Sequence, residues 1–140
     1  MTLASLSLSP AIGQKYFTKT GLTEFKASVE TFEPVEAVNK STTAILNSES
    51  GEVAALVFIS AFHFQIALME EHFNENYMYS DEHPKATFKG NLENYKYAHL
   101  SAEPKEFIAS GELKIKGISK KMNIPVKVNK EGKKIIVTSD

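Results

Sequence analysis

From Thr23 to Val29 the chain alternates: Thr23, Phe25, Ala27 and Val29 form one small or apolar set, with Glu24, Lys26 and Ser28 between them. Successive side chains of a strand point to opposite faces, so this period of two predicts a half-buried β-strand. The pattern recurs twice downstream. Phe107, Ala109, Gly111, Leu113 and Ile115 alternate with Glu106, Ser110, Glu112, Lys114 and Lys116, Ile108 being the one exception, and Met122, Ile124, Val126 and Val128 alternate with Asn123, Pro125, Lys127 and Asn129. Pro125 has no N–H for a ladder, which predicts an edge strand or a bulge there. Turn residues punctuate these runs at Ser50-Gly51, Gly117-Ile118-Ser119 and Glu131-Gly132, and a further strand is expected from Lys85 to Asn91 after Pro84. Short strands with close turns predict an all-β sandwich or barrel. Val53 to Phe64 is apolar on both faces, as in a strand covered outside as well as inside. The cover expected is the one helical stretch, about 66–77, where Ile66, Met69, Phe73 and Tyr77 recur at spacings of three and four among Glu70, Glu71, Asn74 and Glu75.

Composition adds mainly exclusions. The 140 residues suit one domain, and 42% hydrophobic with 24% charged residues is ordinary globular composition. A net charge of −1 gives no field for binding nucleic acid, and the basic runs 114–121 and 127–134 are interrupted by apolar residues as solvated strand faces are. No segment approaches the roughly 20 consecutive apolar residues of a membrane-spanning helix. There is no cysteine, so disulfides, zinc-thiolate sites and cysteine nucleophiles are excluded. Leu3 to Ser9 alternates Leu and Ser and leads through Pro10 into Ala11-Ile12-Gly13, which resembles the end of a secretory signal peptide cleaved before Gln14, although a basic leader is missing. Residues 1–13 are therefore expected to be a signal remnant or disordered tail and 14–140 the domain.

The residues offer no catalytic apparatus. His63, His72, His83 and His99 lie among Glu70, Glu71, Glu75, Asp81 and Glu82, but neither H-E-x-x-H nor E-x-x-H occurs, and a closed metal site needs three or four converging ligands. No metal and no cofactor is expected. A serine nucleophile has no G-x-S-x-G elbow to hold it, and the adjacent Glu70 and Glu71 of a helix point apart. What remains is apolar surface. A barrel of about eight strands is just wide enough to be filled by its side chains or to hold one slender ligand. Small inward residues, Ala27, Ala55, Ala86, Ala109 and Gly111, would leave room for an occupant; the competing expectation is a packed core with small residues at tight strand crossings. If there is a pocket, its expected lining is Phe25, Val57, Ile59, Phe88, Leu113 and Ile115 from strands, with Met69 and Phe73 from the helix.

The central segment is more specific. Phe62-His63-Phe64, the run from Ala67 to Met78, Ser80-Asp81 and Pro84-Lys85-Ala86-Thr87-Phe88-Lys89-Gly90 resemble the signature of the YceI-like family, and Gly111 to Lys121 resembles its second motif, a strand ending in a Gly-x-Ser/Thr-Lys turn. The similarity runs from about Lys15 to the C-terminus and is closest to versions from Bacteroidetes-type bacteria. It implies an extended lipocalin-like antiparallel barrel, exported or periplasmic, holding an apolar isoprenoid or quinone-like lipid for storage or transport without turnover. It carries over no catalytic residue, and His72-Phe73-Asn74-Glu75 would be structural, the helix plugging one barrel end. Family members usually continue past Asp140 with further strands, so the barrel is expected to be incompletely closed or to close by another route such as dimerisation, the chain being a monomer or homodimer. The alternative function is a non-binding stress-response or protein-interaction module with a packed core.

Overall fold

The computed structural model describes residues 2–10, 15–29 and 32–139, leaving aside the side chains of 2–4, 25–29, 32–35, 76 and 77. In chain order come β1 (Thr2–Pro10), β2 (Lys15–Val29), β3 (Phe32–Asn47), β4 (Glu52–Phe58), a 3₁₀ turn (Ile59–Ala61), β5 (His63–Phe64), α1 (Ala67–His72), a π-helical turn (Phe73–Tyr77), β6 (Lys85–Leu92), a second 3₁₀ turn (Tyr97–His99), β7 (Lys105–Ile115), β8 (Ile118–Glu131) and β9 (Lys134–Ser139). The strand order β2-β1-β9-β8-β7-β6-β4-β3, with β3 returning to β2, closes an eight-stranded antiparallel barrel, and the two-residue β5 pairs with the far part of β3.

Closure comes from an unexpected place. Residues 1–13 were expected to lie outside the domain, yet β1 pairs with β9 from Ala4↔Ser139 to Leu8↔Ile135 and with β2 from Thr2↔Phe25 to Pro10↔Tyr16. The Leu/Ser alternation that resembles a leader is also a strand pattern: Leu6 and Leu8 are buried in the core, while Ser7 between them is exposed. A barrel short of a closing strand is therefore not what forms, because β1 occupies the place between β9 and β2. Gly21 makes room for it; a Cβ there would come within 2.5 Å of the Leu6 side chain.

The alternating rows of β7 and β8 form as their patterns predict, and β6 is a strand as expected. Phe88↔Leu113, Gly90↔Gly111 and Leu92↔Ala109 are direct partners, as are Phe107↔Val126, Ala109↔Ile124 and Gly111↔Met122, so these residues share the inner face. The connection from β7 to β8 is tighter than expected: Lys116 (φ 54°) and Gly117 (φ 75°) make a two-residue hairpin turn, which requires positive φ at both positions, and Ile118 and Ser119 already belong to β8. Around Pro125 the β7 ladder continues without a register shift, but the β9 ladder begins only at Lys127↔Thr138, so the strand is an edge locally and its missing N–H disrupts no described pairing.

At the end carrying the β3–β4 and β8–β9 turns the interior is solid. Leu8, Leu46, Leu92, Phe107, Val128 and Ile135 interlock there under Tyr95 and Leu100 of the β6–β7 loop, whose Ser101 carbonyl accepts from the Lys130 N–H at 2.7 Å. The Tyr95 ring lies 5.7 Å from that of Phe107, and its hydroxyl is buried with no hydrogen-bond partner. Burial, then the nearby Tyr97 and Tyr16 hydroxyls, push the Tyr95 pKa up to about 12. Because the folded state holds this proton more tightly than the unfolded chain, its contribution to stability is present below about pH 10 and is lost as pH rises toward 12. Tyr95→Phe removes a buried unsatisfied group and is expected to raise stability by about 1 kcal/mol at neutral pH and to flatten that alkaline decline. Denaturant unfolding followed across alkaline pH checks both.

Two expectations for the segment 53–77 are corrected. The strand does not run to Phe64: it ends at Phe58, and Ile59–Ala61 turns the chain into β5. The helix packs beside β5 through Phe73, and Phe58 keeps its ring half exposed with the Lys85 ammonium 5.7 Å away, so the outer side is not covered as expected. The helix itself is α-helical only to His72. Asn74 Nδ2 donates to the Glu70 carbonyl at 3.0 Å, and the Met78 N–H bonds back five residues to the Phe73 carbonyl, which widens the last turn into a π-helix.

Candidate functional site

Burial along the inner face of β7 and β8 falls from one barrel end to the other. In β7, Phe107 and Ala109 are buried, Gly111 and Leu113 partly so, and Ile115 is exposed; in β8, Val128 and Val126 are buried, while Ile124 and Met122 are partly open. In β4 all three inner positions, Val53, Ala55 and Val57, keep some accessible surface. A side chain facing into a closed barrel is reached by water only where the interior is not filled. The turn end is a packed core; toward the helix end the inner residues of β4, β7 and β8 are partly open, while Ala37, Asn39, Ile59, Phe62 and Ala86 are buried there.

The helix region is tied to this mouth by specific bonds. Glu70 Oε1 accepts from the Phe64 N–H at 3.1 Å and lies 3.5 Å from His63 Nδ1, joining α1 to β5. The Asn74 carbonyl accepts from the Ser80 N–H at 2.9 Å, fixing the chain that leads back to β6. Phe73 stacks obliquely on Phe64 at 5.0 Å and meets Phe62 edge-on at 6.0 Å. Asn39, fully buried in β3, donates from Nδ2 to the Phe58 carbonyl at 3.2 Å and accepts from the Ser41 N–H at 2.9 Å, holding the end of β4 where the 3₁₀ turn begins.

Of the expected lining residues, Val57, Phe88, Leu113 and Ile115 share the inner face at the helix end. Phe73 belongs to the aromatic cluster under the helix, and Met69 is half-buried on α1. Ile59, 1% exposed in the 3₁₀ turn, is packing and offers no surface. Phe25 stands opposite Ala37 in the ladder, and its side chain lies outside the described residues, as does that of Ala27. Ala109 belongs to the packed half. The pattern passed over Thr42, Ala44 and Leu46 of β3, a clear alternation on the inner face, and the hydroxyl pair Thr23–Thr42 at 2.7 Å. Gly111 was expected to leave room but serves the opposite end: a Cβ on it would run into the Lys89 carbonyl and the Gly90 backbone, so it permits a close approach of β6 and β7.

The model of the YceI-like domain matches residues 13–139. The chain belongs to the YceI-like family. The matched region begins after β1, so the strand that closes this YceI-like barrel lies outside it. Among solved structures, the chain is similar to a polyisoprenoid binding domain from Saccharophagus degradans implicated in plant cell wall breakdown, with 14% identity and a TM-score of 0.71, covering 94% of this chain and 72% of that one. It is also similar to a mutant CJ YCEI protein carrying a monobromobimane guest, with 16% identity and a TM-score of 0.58, covering 76% of this chain and 62% of that protein. At these identities the likeness shows the shared barrel alone. No curated protein matches the chain.

Proposed function

We propose that this YceI-like barrel binds an apolar chain of the isoprenoid type, such as a quinone, in the lumen at its helix end, and stores or carries it without turnover. The observation that carries the reading is the incomplete burial of the inner-face apolar residues Val57, Leu113 and Met122 toward the helix end, beyond Ala55, Phe88 and Ile124, which touch the packed core; the same face also carries the Thr23–Thr42 hydroxyl pair and Lys120. A hydrocarbon chain gains about 25 cal/mol for each Å² removed from water, so it can be held there without a charged anchor. The name of the Saccharophagus degradans domain supports the choice of ligand class. Organic-solvent extraction of purified protein is expected to yield one long-chain lipid per chain by mass spectrometry; protein empty across repeated preparations overturns the reading.

One observation favours the second reading, a barrel packed for interaction rather than binding: Gly90 and Gly111 are accounted for by tight strand approach and not by a ligand. Ala55→Phe separates the two. In an open lumen the added ring is tolerated and lipid retention falls several-fold, whereas in a filled core overpacking costs about 1–3 kcal/mol with no change in function. The reading also includes work outside the cytoplasm, in the periplasm or secreted; cell fractionation with N-terminal sequencing of the mature protein tests it.

A further inference from the structure

Ten large apolar side chains stand exposed among the described residues, and six of them, Phe58, Ile66, Leu68, Tyr79, Ile115 and Ile118, belong to the helix end. Exposed apolar groups concentrated at one end mark a contact surface more often than singly scattered ones do. The β7–β8 hairpin is its most exposed part. Its lumen-facing side runs Leu113, Ile115, Ile118, Lys120 and Met122, Lys120 standing opposite Leu113, and the two isoleucines at the tip are 37% and 67% exposed. The same tip carries Lys114, Lys116, Lys120 and Lys121 against Glu112 alone, a local excess of positive charge in a chain whose net charge is −1.

Its surroundings are mixed in charge. The turn holding Asp81, Glu82 and His83 lies against the hairpin: a Cβ on Gly117 would stand 3.1 Å from the His83 ring, and the Lys116 ammonium sits 4.8 Å from the Tyr79 ring centre. Glu71 and Glu75 are exposed on the helix side. Lys85 beside Phe58 adds a cation at this end, but the densest run of positive charge lies on the strand hairpin, alongside its two exposed isoleucines. Aliphatic tips flanked by ammonium groups match the layering of a bilayer surface, in which anionic phosphates lie just outside the acyl boundary. A rigid two-residue turn presents both sets without the ordering cost of a flexible loop.

We propose that the Lys114–Lys121 hairpin docks the barrel mouth onto an anionic lipid bilayer, Ile115 and Ile118 entering the interface and the lysines meeting headgroup phosphates. The proposal rests on the carrier reading for its purpose, since docking at this end places the apolar lumen against the membrane from which a hydrocarbon chain would come. The test uses full-length, solvent-delipidated protein and sedimentation with vesicles of phosphatidylcholine containing phosphatidylglycerol, compared with phosphatidylcholine alone. Binding is expected to the anionic vesicles, weakening steeply with salt, and to fall at least about tenfold in Ile118→Ser and in the Lys114→Glu/Lys121→Glu pair. The pair Lys133→Glu/Lys134→Glu, at the opposite end, is expected to lose much less; all five positions are exposed, and circular dichroism checks that each variant is folded. No sedimentation with anionic vesicles, or equal loss from changes at both ends, overturns the proposal. Because the readout needs no cargo, an empty lipid extract sinks the carrier reading by itself, and a vesicle result stands independently of it.

Discussion

Leu8→Asp is expected to destabilise the barrel by at least about 3 kcal/mol, a large share of the roughly 5–15 kcal/mol that holds a domain of this size together. Leu8 is 1% exposed among Leu46, Val128 and Ile135, so the change removes a core side chain and buries a carboxylate with nothing to pair it. The effect also reaches closure, because Leu8↔Ile135 is the last pair of the β1–β9 ladder. Gly21→Val, which forces a side chain into the space taken by Leu6, is expected to act in the same direction from the neighbouring strand. Urea unfolding measures both variants. A protein lacking residues 1–13 is expected to expose the facing edges of β2 and β9 and to associate, as size-exclusion chromatography would show. A monomer as stable as the full chain would mean that β1 contributes nothing to closure. The same residues resemble a cleavable leader, and the two roles exclude each other within one molecule: cleavage before Gln14 takes β1 with it. The N-terminus of the mature protein decides between them.

Gly111→Val should be comparably severe for a different reason. Where β6 and β7 cross at Gly90↔Gly111, a Cβ on Gly111 meets the Lys89 carbonyl and the Gly90 backbone rather than a movable side chain. Relief requires the two strands to separate, so a loss of about 3 kcal/mol or more is expected, above the usual 1–3 kcal/mol for overpacking a core. Alanine at the same position is expected to cost less but still to destabilise, since the clash begins at Cβ. Thermal unfolding of Gly111→Ala and Gly111→Val tests the order; a tolerated valine would show that the crossing is looser than the backbone spacing indicates.

The expected lining residues show where pattern succeeds and where it stops. Leu113 and Ile115 follow from period two, because in a continuous ladder every second residue keeps to one face, and Val57 and Phe88 join them through the β4–β6–β7 register. Ile59 does not, because the chain leaves the strand at Phe58 and the alternation no longer has a face to refer to. The helix was legible as amphipathic, but its π-helical end depends on the Asn74 side chain reaching the Glu70 carbonyl, a competition that spacing does not reveal. Gly111 fits the inner row equally well as a gap for a ligand or as a strand crossing. Only the proximity of the Lys89 carbonyl distinguishes them.

Local alternation and turn chemistry, with the family motifs, were enough to determine an antiparallel barrel, the inner rows of β7 and β8 and a helix at one end. These are short-range properties: a strand's two faces and a turn's φ angles are set within a few residues. Closure and the division of the interior were decided by tertiary structure. Leu6 and Leu8 read equally well as the apolar part of a leader and as one face of a strand, and it is the vacant ladder between β9 and β2, more than a hundred residues apart in sequence, that makes them a wall of the barrel. The same inner alternation continues through both halves, yet Tyr95 and Leu100 fill one end from a loop while Val57, Leu113 and Met122 toward the other keep accessible surface. Which half is packed depends on what folds over it, and that is a property of the assembled chain.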